Sequence, residues 1–134
     1  MYNLIKITSS GVNVPEYVRL TLATEASLER AMPFYLENGA LVPVTAASTH
    51  LPTHMTVKAV DGKDVLCYEI LPQMVFSVKA SGDPTAMTIG TEYVLSENGE
   101  SVTSTKVSGS VRGAVLLSEN GAKTAGDEIF VSFR

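Results

Sequence analysis

Tryptophan is missing from the 134 residues, and cysteine occurs once. A single thiol makes an intramolecular disulfide impossible and leaves a thiolate metal cluster without its ligands. Cys67 lies inside the apolar run Val65-Leu66-Cys67-Tyr68, which marks it as a buried, inert thiol. Charge is scarce, at 18% of residues, and neither lysine nor arginine forms a run. With 10 basic against 14 acidic side chains the net charge is −4, so no concentrated basic face is available for phosphate and no nucleic-acid partner is expected. Nowhere do the roughly 18 apolar residues of a membrane span run together, and the opening "MYNLIKITSSGVNVPEYVRL" has no cationic segment leading into an apolar one. These absences lead us to expect a chain made and kept in a cytoplasm, with no membrane partner.

What is present is a folding composition: 45% apolar residues on a chain of one-domain length. Alternation of apolar and polar residues, the mark of a strand with one covered face, recurs in short pieces. "EYVRLTLAT" sets Val18, Leu20 and Leu22 against Tyr17, Arg19 and Thr21, and "DEIFVSF" sets Ile129, Val131 and Phe133 against Glu128, Phe130 and Ser132. "NLIKITS", "HMTVKAV", "DVLCYEIL" and "QMVFSVKA" are strand-like through their β-branched and aromatic content. The expected core is Val18, Leu20, Leu22, Val57, Leu66, Val75, Val94, Val115, Ile129, Val131 and Phe133. Only "TEASLERAMPFY" offers a helix, near residues 25–32, with Thr24 as cap and Pro33 as stop. The fold class is therefore all-β, a compact barrel or sandwich with at most one short helix.

Asn-Gly favours the positive φ of a tight hairpin turn, and it occurs at Asn38-Gly39, Asn98-Gly99 and Asn120-Gly121, with Asp61-Gly62 between. The first pair of these turns and the last pair are almost equally spaced. We therefore read two related β units, residues 31–78 and 90–133, joined by the Gly/Pro-rich "KASGDPTAMTIG", within one domain whose residues 1–30 supply an N-terminal arm and the first strands. Ser-Glu-Asn-Gly, which occurs twice, is on this reading a turn and not a reactive loop.

Chemistry-bearing constellations are thin. His50 and His54 have the spacing of a helical zinc pair, but Pro52 interrupts it and no third ligand is evident, so no metal is expected. "SGSVRG" is the nearest imitation of a nucleophile elbow, and no phosphate-cradling glycine motif occurs, so no cofactor and no catalytic residue is assigned. Glu97, Glu100, Glu119, Asp127 and Glu128 surround the predicted C-terminal turns, where they hydrate the surface unless two of them converge. The reading is of a protein that is not an enzyme.

Ile89-Gly90, Tyr93-Val94, Gly99, Val102-Thr103, Gly113-Ala114-Val115 and the final Ala125-Gly126-Asp127 through Phe133 resemble a C-terminal signature of head decoration, or capsid-stabilising, proteins of tailed bacteriophages and prophages. The preceding "PFYLENGALVPVTAAS" and "PTHMTVKAVDGKDVLCYEILPQMVF" are similar to the first half of the same proteins. That resemblance implies a non-enzymatic virion protein that assembles as a homo-oligomer, a trimer above all, on the major capsid protein, and passes from the bacterial cytoplasm into the virion. It also implies an N-terminal arm: residues 1–12 would extend from the domain, with Tyr2, Asn3, Leu4, Ile5 and Lys6 as partner-binding residues. The alternative is a binding module of a phage tail or baseplate, or a glycan-binding domain, which calls for an aromatic rim drawn from Tyr2, Tyr17, Phe34 and Tyr35.

Overall fold

The computed structural model describes residues 2–7, 15–24 and 31–134, and among these the chain forms eleven strands and one 3-10 turn, Pro84–Ala86. In order the strands are β1 (Asn3–Ile7), β2 (Tyr17–Thr21), β3 (Pro33–Glu37), β4 (Ala40–Pro43), β5 (His54–Asp61), β6 (Asp64–Glu69), β7 (Met74–Lys79), β8 (Glu92–Leu95), β9 (Val102–Lys106), β10 (Ala114–Ser118) and β11 (Glu128–Ser132). They build two antiparallel sheets, ordered β2-β6-β5-β3-β4 and β1-β7-β11-β10-β8-β9, packed as an open sandwich and not as a closed barrel. Most of the helix expected near residues 25–32 lies outside the described residues.

The two sheets repeat one plan. Leaving β1 aside, each has its first strand beside its fifth, then its fourth, second and third. The registers coincide as well: Thr56 faces Cys67 and Lys58 faces Leu66 across a one-residue slip, as Leu116 faces Val131 and Ser118 faces Phe130. Each sheet also curls until a single parallel bridge links its first strand to its third, Leu22 to Leu41 and Ala80 to Val102. The repeating unit therefore runs over residues 17–69 and 74–132, not over 31–78 and 90–133. The earlier boundaries follow from hairpins, which are local; β2 and β7 belong to their units through pairing with β6 and β11, which turn spacing does not report.

The turns are less uniform than the sequence suggests. Asn38 and Gly39 both take positive φ and close a two-residue hairpin between β3 and β4. Asn120 and Gly121 share that geometry, but inside the longer connection between β10 and β11. Asn98 instead accepts a hydrogen bond from the Glu100 amide through its side chain, and Gly99 alone has positive φ, at 77°.

Equivalent positions fill equivalent interiors. Leu22, Phe34, Leu41, Val65 and Cys67 form the buried cluster of the first unit, and their register counterparts Ala80, Tyr93, Val102, Ile129 and Val131 are buried in the second. The second core then continues through Phe76, Phe133 and Tyr2 to the opposite face of the first unit, reaching Val44, Met55, Tyr68 and Ile70. The Thr56 hydroxyl accepts from the Met32 amide and donates to the Met32 carbonyl, so this buried polar side chain is satisfied as it ties the entry of β3 to β5. Gly99 seats the β8–β9 turn against the first unit, because a Cβ there would lie 2.3 Å from the Val44 carbonyl oxygen.

Of the expected core, Leu22, Val75, Val115, Ile129, Val131 and Phe133 are buried, and Leu20, Leu66 and Val94 are half-buried. Val18 and Val57 are exposed. Val57 is the extra residue of the β5 bulge, where alternation slips, and Val18 lies on an outermost strand.

Candidate interaction surface

The N-terminal residues do not leave the domain. β1 pairs antiparallel with β7, Asn3 opposite Ser77 and Ile7 opposite Met74, which corrects the expected extended arm over residues 2–7. Residues 8–14 lie outside the described residues. The reason is in the core: the Tyr2 ring is buried against Phe133, centroids 5.9 Å apart, and Leu4 packs on the same cluster. Asn3 and Ile5 are exposed, and Lys6 pairs through its backbone opposite Val75. Burial raises the Tyr2 phenol far above its ordinary pKa, and its hydroxyl has no hydrogen-bond partner among the described residues. Tyr2 is thus a plug on the second unit.

The aromatic rim does not assemble. Tyr2 and Phe34 are buried in two different cores, while Tyr17 stands on Tyr68 at 6.1 Å and Tyr35 on His50 at 4.6 Å. The histidines separate too: His54 lies on β5 with Nδ1 2.8 Å from the Thr53 hydroxyl, and burial lowers its pKa against the opposing pull of Glu69. Among the described residues no three His, Cys, Asp or Glu side chains converge as a metal site would require. Cys67 is buried, its pKa raised by that burial, with Sγ directed at the Val18 carbonyl.

The carboxylates are dispersed into local work. Asp127 accepts from the Lys123 and Thr124 amides, which hold its pKa low, and Glu128 accepts from the Ser77 hydroxyl at 2.8 Å. Glu92 binds Arg112 and also the Gly113 amide, and Arg112 reaches the Arg134 carbonyl, so this pair clasps β8 to the end of the last strand. Glu97 and Glu100 line an open depression of about 610 Å³ with Ser96, Asn98 and Ser101. A neighbouring one of about 400 Å³ adds Lys79, Ser81 and Gly126. Neither has a histidine or an aromatic ring in its lining, and Ser81 Oγ is committed to the Val102 carbonyl. The "SGSVRG" stretch is a β connection, with the Val111 amide bonded to the Ser108 carbonyl.

The surface that stands out is the flank of the first unit. Val18 is 42% exposed where its register counterpart Phe76 is fully buried, and Leu36 is 43% exposed where Leu95 is fully buried. Tyr17, 51% exposed, lies on the other face of β2, where it stacks on Tyr68. The sequences of the two strands differ accordingly: β2 alternates, whereas β7 is a nearly continuous apolar run that is buried on both faces. No protein-family model, no curated protein and no solved structure matches the chain.

Proposed function

We propose that the chain is a non-enzymatic structural protein of a tailed-bacteriophage or prophage virion, acting in capsid decoration by binding across capsomers. One observation carries the reading beyond the resemblance: the flank of the first unit exposes apolar side chains at positions that the second unit buries. Apolar surface of that kind on a regular β framework suits contact with other protein chains more than catalysis. His54, Asp127 and Glu128, meanwhile, are each engaged with neighbours of their own, at Thr53, at the Lys123 amide and at Ser77.

Decoration needs only weak individual contacts. A contact of roughly millimolar affinity becomes tight when a rigid oligomer presents two or three of them together. The trimer that the resemblance implies is one such arrangement, and a dimer is another. The test is to induce virions from cells that carry the chain with an epitope tag, separate heads from tails, and probe each. We expect the chain on heads, with earlier rupture on warming when it is deleted. A chain recovered only with tails, or absent from particles, overturns the proposal.

A further inference from the structure

The geometry points to β2 as a self-pairing edge: we propose that the chain associates with a second copy of itself through antiparallel β2–β2 pairing about a two-fold axis. β2 and β7 are equivalent first strands, each paired on one side with the fifth strand of its unit. On its other side β7 is covered by β1, whereas no strand among the described residues pairs with the other side of β2 beyond the single bridge from Leu22 to Leu41. One copy of the plan thus shows its outer edge filled by an antiparallel strand, and among the described residues the other has the same edge unpaired.

The four sheet edges differ in how they are protected. β1 and β9 carry bulges, between Leu4 and Lys6 and opposite Tyr93 to Leu95. β4 is short and ends in Pro43, which has no N–H to offer. β2 has neither device: it holds an unbroken register from Tyr17 to Thr21, contains no proline, and exposes Tyr17 and Val18. An edge of this kind is a template for another strand.

Charge selects the occupant. A two-fold axis perpendicular to the sheet requires a residue to face itself, and a register centred on Val18 places Arg19 of each copy opposite Tyr17 of the other. Tyr17 and Arg19 share a face, since they pair with Tyr68 and Leu66, and Tyr17 is already held by its stacking on Tyr68. The guanidinium of each copy then lies beside the other's phenol, twice over, and Arg19 keeps its ion pair to Asp64 at 2.9 Å. In this register no like charges face each other, and Glu16 lies opposite Leu20. A second copy therefore supplies both the free edge and the complementary side chains, and the sheet continues through the axis as ten strands.

This inference stands apart from the virion reading, because it concerns only how two copies meet. The experiment is light scattering behind a sizing column at concentrations rising toward the millimolar range, combined with disulfide trapping. We expect a concentration-dependent species near twice 14.3 kDa, and association weakened by about tenfold or more in Val18→Lys, which changes an exposed side chain. Val18→Cys should form a dimeric disulfide under mild oxidant far faster than Val60→Cys, a similarly exposed control on β5; Cys67 is buried and stays silent. A monomer at every concentration, a trimer untouched by Val18→Lys, or equal trapping at positions 18 and 60 each overturns the proposal and leaves the capsid test unaffected.

Discussion

The two units of this protein share strand order, bulge and bridge, and differ in what covers them. In the second, Tyr2 and Leu4 arrive on β1, and Val44, Met55 and Tyr68 arrive from the first unit, so the interior runs on through Phe76 and Phe133. In the first, the enclosed cluster stops at Leu22, Phe34, Leu41, Val65 and Cys67, and Val18 and Leu36 face outward. The lesson is that strand topology fixes which residues point together, whereas burial depends on a neighbour to supply the other half of the core. A single plan can accordingly enclose its core at one end and leave apolar side chains exposed at the other.

Truncation at matched positions breaks this comparison most severely. Phe76→Ala empties a fully enclosed site and should cost about 3–5 kcal/mol, while Val18→Ala in the monomer should cost less than about 0.5 kcal/mol; urea unfolding of both reads the difference. Near-equal losses would mean that the flank of the first unit is covered in solution.

The matched turn glycines give the next contrast. Gly39 and Gly99 both hold positive φ, near 80°, but only at Gly99 would a Cβ strike the other unit, at the Val44 carbonyl. Gly39→Ala should lose about 1 kcal/mol, the cost of the backbone conformation, and Gly99→Ala should lose about 2 kcal/mol or more because the unit contact must also give. Thermal unfolding of the pair measures this, and equal shifts would place no restraint at the Gly99 contact.

The smallest effect is in acid. Asp64 is held below the ordinary carboxylate range by hydrogen bonds from Thr21 and Arg19, and Asp127 by the Lys123 and Thr124 amides. A carboxylate depressed in the folded state contributes stability that is present above its unfolded pKa and is lost as pH falls through the folded value. Stability should therefore hold toward neutral pH and decline below the ordinary carboxylate range. Asp64→Asn and Asp127→Asn should each flatten that decline, and a decline unchanged in both variants would assign it elsewhere.

Much of the fold was legible in the sequence. "DEIFVSF" alternates and does bury Ile129, Val131 and Phe133, and the all-β class follows from many such pieces. "EYVRLTLAT" alternates equally well, yet Val18 is exposed, because periodicity names a face and cannot name what lies on it. The unit boundaries were misplaced because β2–β6 and β7–β11 join distant segments. The sequence suggests an extended arm over residues 1–12 with Tyr2 to Lys6 as its contact residues, whereas in the structure residues 2–7 form an edge strand led by an aromatic plug. The β2 flank was invisible at that level, since being an edge is a property of strand order, which no window of residues records.

The pairing of Asn3 with Ser77 has a kinetic meaning. The strands of the second unit otherwise pair within that unit, while β1 is separated in sequence from β7 by the whole of the first unit. Contacts of such separation carry a loop-closure cost that falls when other structure has already shortened the loop they close. If β1 docks only after the transition state, as a latch set on a finished unit, loss of its contacts would speed unfolding more than it slows folding.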